Sequence, residues 1–169
     1  NVDTIKPKGI DFKHLDIANI NLLTSSGSIL DDTIFADIKS LTARDRSGLE
    51  VKELSALARV SVQDITLNQL HIKTPHSEIG NFLSLKYSHF RDFKKFLDGV
   101  KMDVRLTDSR FSLKDLSYFV KGMAKVEHNT FRVNGRFKGS VSEIDGRNIE
   151  IRTAANTFFA GDFSTRGLP

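Results

Sequence analysis

The chain has 169 residues, of which 39% are hydrophobic and 27% are charged, a composition that favours one folded domain over a disordered chain. The net charge of +4 is spread along the sequence, and no Lys/Arg run resembles a nucleic-acid-binding arm. The absence of Cys excludes disulfides and thiolate chemistry, and no apolar run reaches the length of a membrane-spanning helix.

Residues 1–9 are polar and contain the breakers Pro7 and Gly9, so we interpret them as a lead-in to a single domain of residues 10–169. The sequence starts without Met and ends directly after a strand-like segment, so we expect a fragment of a longer protein. From residue 10 onward, stretches of eight residues recur in which apolar residues stand two, three and two positions apart. We call each stretch a bent octet; the octets begin at Ile10, Leu15, Ala36, Leu49, Ile65 and Phe111.

The octet at residues 65–72 shows what this spacing predicts. A strand with one apolar face alternates strictly, because successive side chains point to opposite faces. The two polar residues in the middle, Asn68 and Gln69, would turn the second half of the strand to the other face. One extra residue, a β-bulge, restores the phase and bends the strand. We therefore predict a strand that is apolar on one face throughout and bent near these two residues.

Turns, further strands and one short helix are predicted between and after the octets. Turns are predicted at residues 24–28, 44–48, 74–77, 107–109, 128–130 and 145–146, and further strands at 82–87, 102–106, 119–127, 131–141 and in a last hairpin about residues 155–156. Phe90, Phe93 and Leu97 are three and four positions apart, which predicts one short helix near residues 89–98. Ser88 is its expected N-cap and Gly99 its expected C-terminal stop.

Nine or more short strands in meander order, one short helix and no βαβ alternation predict an all-β fold. Such a chain commonly closes into a sandwich or barrel, whose core the octet residues would fill. Bends at the same place in successive strands instead favour a curved antiparallel meander sheet, a U-shaped trough or β-taco with an apolar concave face. A trough of this kind would bind an apolar ligand, and a lipid acyl chain fits because its burial needs no directional polar contact. The predicted groove lining comprises Ile10, Phe12, Leu15, Ile17, Ile20, Leu22, Ile38, Leu41, Leu49, Val51, Leu54, Ile65, Leu67, Leu70, Ile72, Val104, Leu106, Phe111, Leu113 and Leu116.

Several segments resemble TamB-like proteins of the AsmA superfamily, most closely the versions found in Bacteroidetes-type bacteria. The similar segments are the bent octets, residues 47–55 (SGLEVKELS), the strand 65–72 with the following KTPHSEI, and the closing GDFSTRGLP of residues 161–169. The resemblance covers most of the chain from residue 10.

The resemblance implies a β-taco within a long periplasmic protein that is anchored at the inner membrane. It implies a section of a lipid conduit that shields phospholipid acyl chains and supports lipid transport to, and assembly of, the outer membrane. The implied partners are phospholipid acyl chains, an outer-membrane TamA-like barrel and flanking repeats of the full-length chain, with no nucleic acid. The family has no catalytic residues to transfer, and the alternative is a non-lipid β-sandwich scaffold or interaction module of the cell envelope.

The sequence offers no pattern for catalysis, cofactors or metals. The nucleotide-binding motif GxxxxGK[ST], the dinucleotide motif GxGxxG and the nucleophile motif GxSxG are all absent. His71 and His76 are five residues apart across Pro75, which is a poor spacing for zinc ligands, and we expect them at the surface. We therefore expect a protein that is not an enzyme and that needs no cofactor.

Overall fold

A computed structural model describes residues 16–118, 130–155 and 157–167. In this part of the chain nine strands form one antiparallel sheet in the order β1 to β9, and β1 does not pair with β9, so the sheet is open. The strands are β1 (Ile17–Leu30), β2 (Thr33–Asp45), β3 (Glu50–Val60), β4 (Asp64–Lys73), β5 (Glu78–Lys86), β6 (Lys101–Ser112), β7 (Thr130–Gly139), β8 (Glu143–Thr153) and β9 (Phe158–Arg166). Helix α1 consists of a 3-10 segment, Phe90–Lys95, that continues as the α-helical turn Phe96–Gly99, and helix α2 is the turn Leu113–Leu116. The predicted fold class, a curved antiparallel meander with one short helix near residues 89–98, is confirmed.

The strand register separates an apolar face from a polar face, because residues directly opposite each other on neighbouring strands point to the same side. One row that crosses all nine strands contains Gly27, Ala36, Ala58, Leu67, Leu83, Val104, Phe137, Gly146 and Phe163. A second row contains Ile29, Ile34, Val60, Ile65, Leu85, Met102, Gly139, Ile144 and Thr165. We call the side of these rows the apolar face. The row between them, on the polar face, contains Ser28, Phe35, Arg59, Thr66, Ser84, Asp103, Lys138, Asp145 and Ser164.

Four strands contain a β-bulge marked by a residue other than glycine at positive φ. These residues are Asn19 in β1, Gln69 in β4, Asp108 in β6 and Asn148 in β8, with φ of 55°, 51°, 45° and 50°. The strand register shifts by one residue at each of them. The predicted bulge at Gln69 is therefore confirmed. It stands in a line across the sheet with the bulges at Asp108 and Asn148, whereas the same row reaches β1 at Thr24, away from Asn19.

The bulge in β8 keeps both halves of the strand on the apolar face. A Cβ atom placed on Gly146 would lie 2.5 Å from Cε1 of Phe163 and 2.9 Å from Cγ1 of Ile149. Gly146, Ile149 and Phe163 thus share one side of the sheet, although Gly146 and Ile149 are three residues apart. A strictly alternating strand would place them on opposite sides.

Burial along the line of bulges shows which way the sheet bends. Leu70, Leu106, Val133 and Ile149 are only 5%, 8%, 3% and 0% exposed. The described strands pair only with their sequence neighbours in one sheet, so no second sheet of described strands covers these side chains. A flat single layer would leave one side of such residues in water. Their burial therefore indicates that the strands fold toward the apolar face, which becomes the inside of a trough.

Side chains of neighbouring strands satisfy the backbone of two bulges. The N–H of Asp108 donates to Oδ1 of Asn134 at 2.6 Å, and the N–H of Asn148 donates to Oδ1 of Asp162 at 2.7 Å. A bulge leaves its extra residue outside the regular hydrogen-bond ladder, so these side chains replace the missing acceptor.

The prediction that residues 111–118 form a bent strand is wrong. Strand β6 ends at Ser112, and Leu113–Leu116 is the helical turn α2, whose Lys114 N–H donates to the Ser112 hydroxyl. Leucines three residues apart also fit a helical turn, and Ser112 provides the N-cap that favours one. Leu113 and Leu116 therefore do not occupy groove-facing strand positions.

Three predicted turns lie inside strands. Residues 24–28 belong to β1, residues 107–109 to β6 and residues 145–146 to β8. In β6 and β8 the turn-forming residues Asp108 and Asn148 adopt their left-handed conformation within a bulge, where the strand bends but continues. The predicted strand at 119–127, the octet residues 10–15 and Asn156 of the last hairpin lie outside the described residues.

The predicted helix begins one residue later than expected, at Phe90, and ends at Gly99 as expected. The Asp92 carboxylate accepts the backbone N–H groups of Ser88 and His89, both at 2.9 Å. The bond from His89 lowers the pKa of Asp92, and this carboxylate fixes the start of the helix. None of the helices in the described residues has the length and apolar character to cross a membrane.

Candidate functional site

The structure brings most of the predicted groove residues of β1 to β4 and β6 together on the apolar face. Beyond the bulges, Leu22, Leu41, Leu54 and Ile72 stand in one row with Ile79. Ile65, Leu67 and Val104 belong to the two rows that cross the whole sheet, and Ile38 pairs with Ala56. The predicted residues Ile10, Phe12 and Leu15 lie outside the described part of the chain.

Strands β5 to β9 supply groove residues that the predicted lining omits. Leu83, Leu85, Met102, Phe137, Ile149 and Phe163 all lie on the apolar face. Strict alternation of apolar residues in β5 and β7 was the available signal for Leu83, Leu85 and Phe137. Met102 likewise alternates with Val104 and Leu106, whereas the place of Ile149 beside Phe163 depends on the register.

Aromatic rings line the trough in β6 to β9. Phe137 and Phe163 meet edge to face, with ring centroids 6.1 Å apart, and Phe111 stacks on Phe131 with centroids 6.0 Å apart. Both ring arrangements are favourable contacts, and Phe contributes no polar group to the surface. The predicted groove residue Phe111 therefore contributes to the apolar face, at the far end of β6.

The apolar face is more exposed in the edge strands β1 and β9 than in the middle of the sheet. Every residue of β1 is exposed, including the predicted groove residues Ile17, Ile20 and Leu22. The trough thus presents a continuous apolar surface that is buried along the line of bulges and at scattered positions such as Ala58 and Val100. Exposed apolar area of this extent is typical of a binding surface.

Ion pairs between strands hold the polar face together. Nε of Arg136 donates to Asp103 at 2.8 Å, and this bond lowers the pKa of the Asp103 carboxyl. The Asp162 pKa is lowered first by the N–H of Asn148 and then by Arg147, whose guanidinium lies 3.0 Å away. These groups are solvated and neutralised by each other, so this face is the outer wall of the trough rather than a second site.

Helix α1 lies along one rim of the trough. This rim, here called the helix rim, contains the connections at residues 31–32, 61–63, 87–100 and 140–142. The Tyr87 hydroxyl donates to the Ser61 carbonyl at 2.8 Å, and the Ser142 N–H donates to the Leu97 carbonyl at 3.1 Å. Val100 is fully buried, and burial raises the pKa of Tyr87. The helix is thus fastened to the turns on both sides of it.

The opposite rim is fastened by a buried carboxylate. Oδ2 of Asp115, in α2, accepts the hydroxyls of Thr74 and Ser77, each at 2.5 Å, and the Ser77 hydroxyl in turn accepts the N–H of Ser112. These bonds join α2 to the turn between β4 and β5. They satisfy every member of the cluster, so the arrangement is a structural clasp without a free nucleophile or base.

The described residues contain no grouping of His, Cys, Asp or Glu that could hold a metal ion. His71 lies 3.6 Å from Glu78 on the surface, as its expected surface position implies, and His76 is exposed. The site defined by the structure is therefore an apolar trough formed by a single open sheet.

The fold class is an open all-β meander with an apolar inner face. No family model, curated protein or solved structure matches the chain.

Proposed function

We propose that this chain is a section of a lipid conduit whose apolar trough shields phospholipid acyl chains from water. The observation that carries the proposal is the apolar face of the single open sheet, which crosses all nine strands without a covering layer among the described residues. Burial of each CH₂ group contributes roughly 0.8 kcal/mol and needs no hydrogen-bond partner. A face lined by Ile, Leu, Val and Phe is suited to that task.

The dimensions of the sheet support an acyl chain as the occupant. Nine strands at about 4.8 Å spacing give a trough about 38 Å long. One leaflet of a bilayer has a hydrocarbon thickness of about 15 Å, half of the usual core. The trough therefore has room for acyl chains laid along its axis.

In this proposal the sheet is one segment of a longer trough. Strands β1 and β9 each leave one edge unpaired within the described residues, and flanking repeats of a longer chain would continue the sheet there. Together with the resemblance to TamB-like proteins, this supports a periplasmic, inner-membrane-anchored protein. Such a protein would work with an outer-membrane TamA-like barrel in lipid transport and outer-membrane assembly.

Two adjacent substitutions on opposite faces test the proposal. Leu67→Asp places a charge on the apolar face between Ala58 and Leu83, whereas Thr66→Asp adds the same charge on the polar face. The purified chain is incubated with a fluorescent phospholipid and passed through a gel-filtration column. We expect the wild type and Thr66→Asp to retain lipid. Leu67→Asp should retain at least tenfold less lipid, because a buried unpaired charge is costly. In the full-length protein, Leu67→Asp should block lipid passage.

Two outcomes would overturn the proposal: no lipid retained by the wild type, or equal loss in both variants. The first would favour an interaction module that does not bind lipid. A closed β-sandwich is not the architecture of this alternative, because the described strands form one open sheet.

A further inference from the structure

The helix rim carries basic residues that the fold does not neutralise. Residues 86–101 contain five basic residues against two acidic ones, a net charge of +3. Within the described residues, Lys86, Lys94, Lys95 and Lys101 are exposed and form no ion pair. On the polar face, by comparison, Arg132, Arg136 and Arg147 are each paired with a carboxylate.

The register adds an electrostatic cost at the same place. Lys86 of β5 and Lys101 of β6 stand directly opposite each other in the sheet. Like charges at opposed positions destabilise a strand pair. Asp64 of β4 stands opposite Lys86 on the other side, but its Oδ2 already lies 2.5 Å from the Arg59 guanidinium. Oδ2 of Asp92 accepts the backbone N–H groups of Ser88 and His89.

Exposed apolar side chains stand among these lysines. Phe90 is 63% exposed and Val62, in the turn between β3 and β4, is 58% exposed. The Tyr87 ring lies 5.3 Å from the Phe90 ring, and Tyr87 donates to the carbonyls of Ser61 and Gln63, the residues on either side of Val62. Because Tyr87 and Ser142 fix the helix to the neighbouring turns, Phe90 and the lysines occupy a rigid platform.

We propose that this platform, formed by α1 with Lys86, Lys101 and Val62, docks on the surface of an anionic phospholipid bilayer. Exposed aromatic and aliphatic groups surrounded by unpaired lysines suit the boundary between headgroups and acyl chains, where lysine stems extend the charge to the headgroups. A protein partner fits this platform less well, because lysine is depleted in protein–protein interfaces. Docking here places the bilayer beside the apolar face, since Tyr87 and Val100 continue the alternation of Leu85 and Met102 toward the helix rim.

Vesicle co-sedimentation of the 169-residue chain tests this inference. We expect binding to vesicles that contain phosphatidylglycerol, little binding to pure phosphatidylcholine, and loss of binding in high salt. The double variant Lys94→Gln, Lys95→Gln should bind about 30-fold more weakly, because each basic residue at an anionic surface contributes roughly fivefold. Phe90→Ser should also weaken binding, while its thermal midpoint reports whether the fold is intact.

The matched control removes two exposed, unpaired lysines from the opposite rim, Lys52→Gln with Lys114→Gln. It should bind within twofold of the wild type. Equal loss in both double variants would show a general charge effect and overturn the inference, and so would equal binding to neutral vesicles. Binding to polyglutamate as strong as binding to anionic vesicles would point to an acidic protein partner and also overturn it. Leu67→Asp should retain vesicle docking, so failure of the trough proposal and failure of this inference give different results.

Discussion

Gly135 in β7 is a position where the bulge in β8 closely constrains the neighbouring strand. Its φ is +128°, and a Cβ atom there would lie 2.6 Å from Cδ1 of Ile149 and 2.8 Å from the carbonyl oxygen of Asn148. The bulged strand β8 therefore presses against the backbone of its neighbour. We predict that Gly135→Ala strongly destabilises the protein.

The expected loss in the free energy of unfolding has two parts. An alanine at this φ costs about 1–3 kcal/mol in backbone strain, and the added methyl group in a crowded site costs about 1–3 kcal/mol more. A loss of about 4 kcal/mol is a large fraction of a typical stability of about 5–15 kcal/mol. For a chain of this size it should lower the melting temperature by about 8–16 °C.

The control is Gly161→Ala in β9. A Cβ atom there would lie 3.5 Å from Cζ of Phe159, an ordinary contact, and the backbone is not in the left-handed region. Since alanine also restricts the unfolded chain, we expect a change between zero and a gain of about 1 kcal/mol. Urea unfolding monitored by circular dichroism measures both variants, with the midpoint compared at constant slope. Equal stability of the two variants would refute the bulge geometry proposed for β8.

Two further predictions concern carboxylates. The pKa of Asp103 is lowered by Arg136, so its contribution is present above the unfolded pKa of about 3.9 and is lost as pH falls through the lower folded value. Asp103→Asn should therefore cost about 1 kcal/mol or less at pH 7, and almost nothing at pH 2, in urea unfolding at each pH. At Asp115, Asp115→Ala should cost about 2–4 kcal/mol, because the buried hydroxyls of Thr74 and Ser77 lose their shared acceptor.

Each prediction has a clear contrary result. A stability difference for Asp103→Asn that grows at low pH would have the wrong sign for a lowered pKa. For the clasp, the neighbouring exposed Lys114→Ala should change stability by less than about 0.5 kcal/mol. A similar loss in Lys114→Ala and Asp115→Ala would mean that α2 as a whole, rather than its buried carboxylate, sets the stability.

The sequence predicted the bulge at Gln69 because all four apolar positions of that octet are filled. The bent-octet spacing does not predict the bulges at Asp108 and Asn148, because Ser109 and Gly146 occupy positions where a bent octet has a larger apolar residue. Buried Ser109 bonds to both the N–H and the carbonyl of Gly80, so a hydroxyl fills the position of an aliphatic side chain. In these two strands the sequence signal for a bulge was the residue type at the bulge position, because Asp and Asn tolerate positive φ better than most residues.

The predicted bent strand around Leu113 is wrong for a different reason. Residues three apart fit both a bent strand and one helical turn, and only the N-cap at Ser112 separates the two. The sequence also could not predict which apolar residues share a row, because the register depends on pairing between strands far apart in the chain. Alternation places Leu83 and Phe137 on an apolar face, but only the register places both in one row with Val104.

Site-specific photocrosslinking tests the central claim of an acyl-chain trough most directly. A benzophenone side chain is placed at Leu67 or Val104 on the apolar face, and at Thr66 or Asp103 on the polar face, in protein expressed in cells. We predict that phospholipid is captured at Leu67 and Val104 and not at the two polar positions. Capture only at Thr66 and Asp103, or equally at all four, would contradict a trough that shields acyl chains.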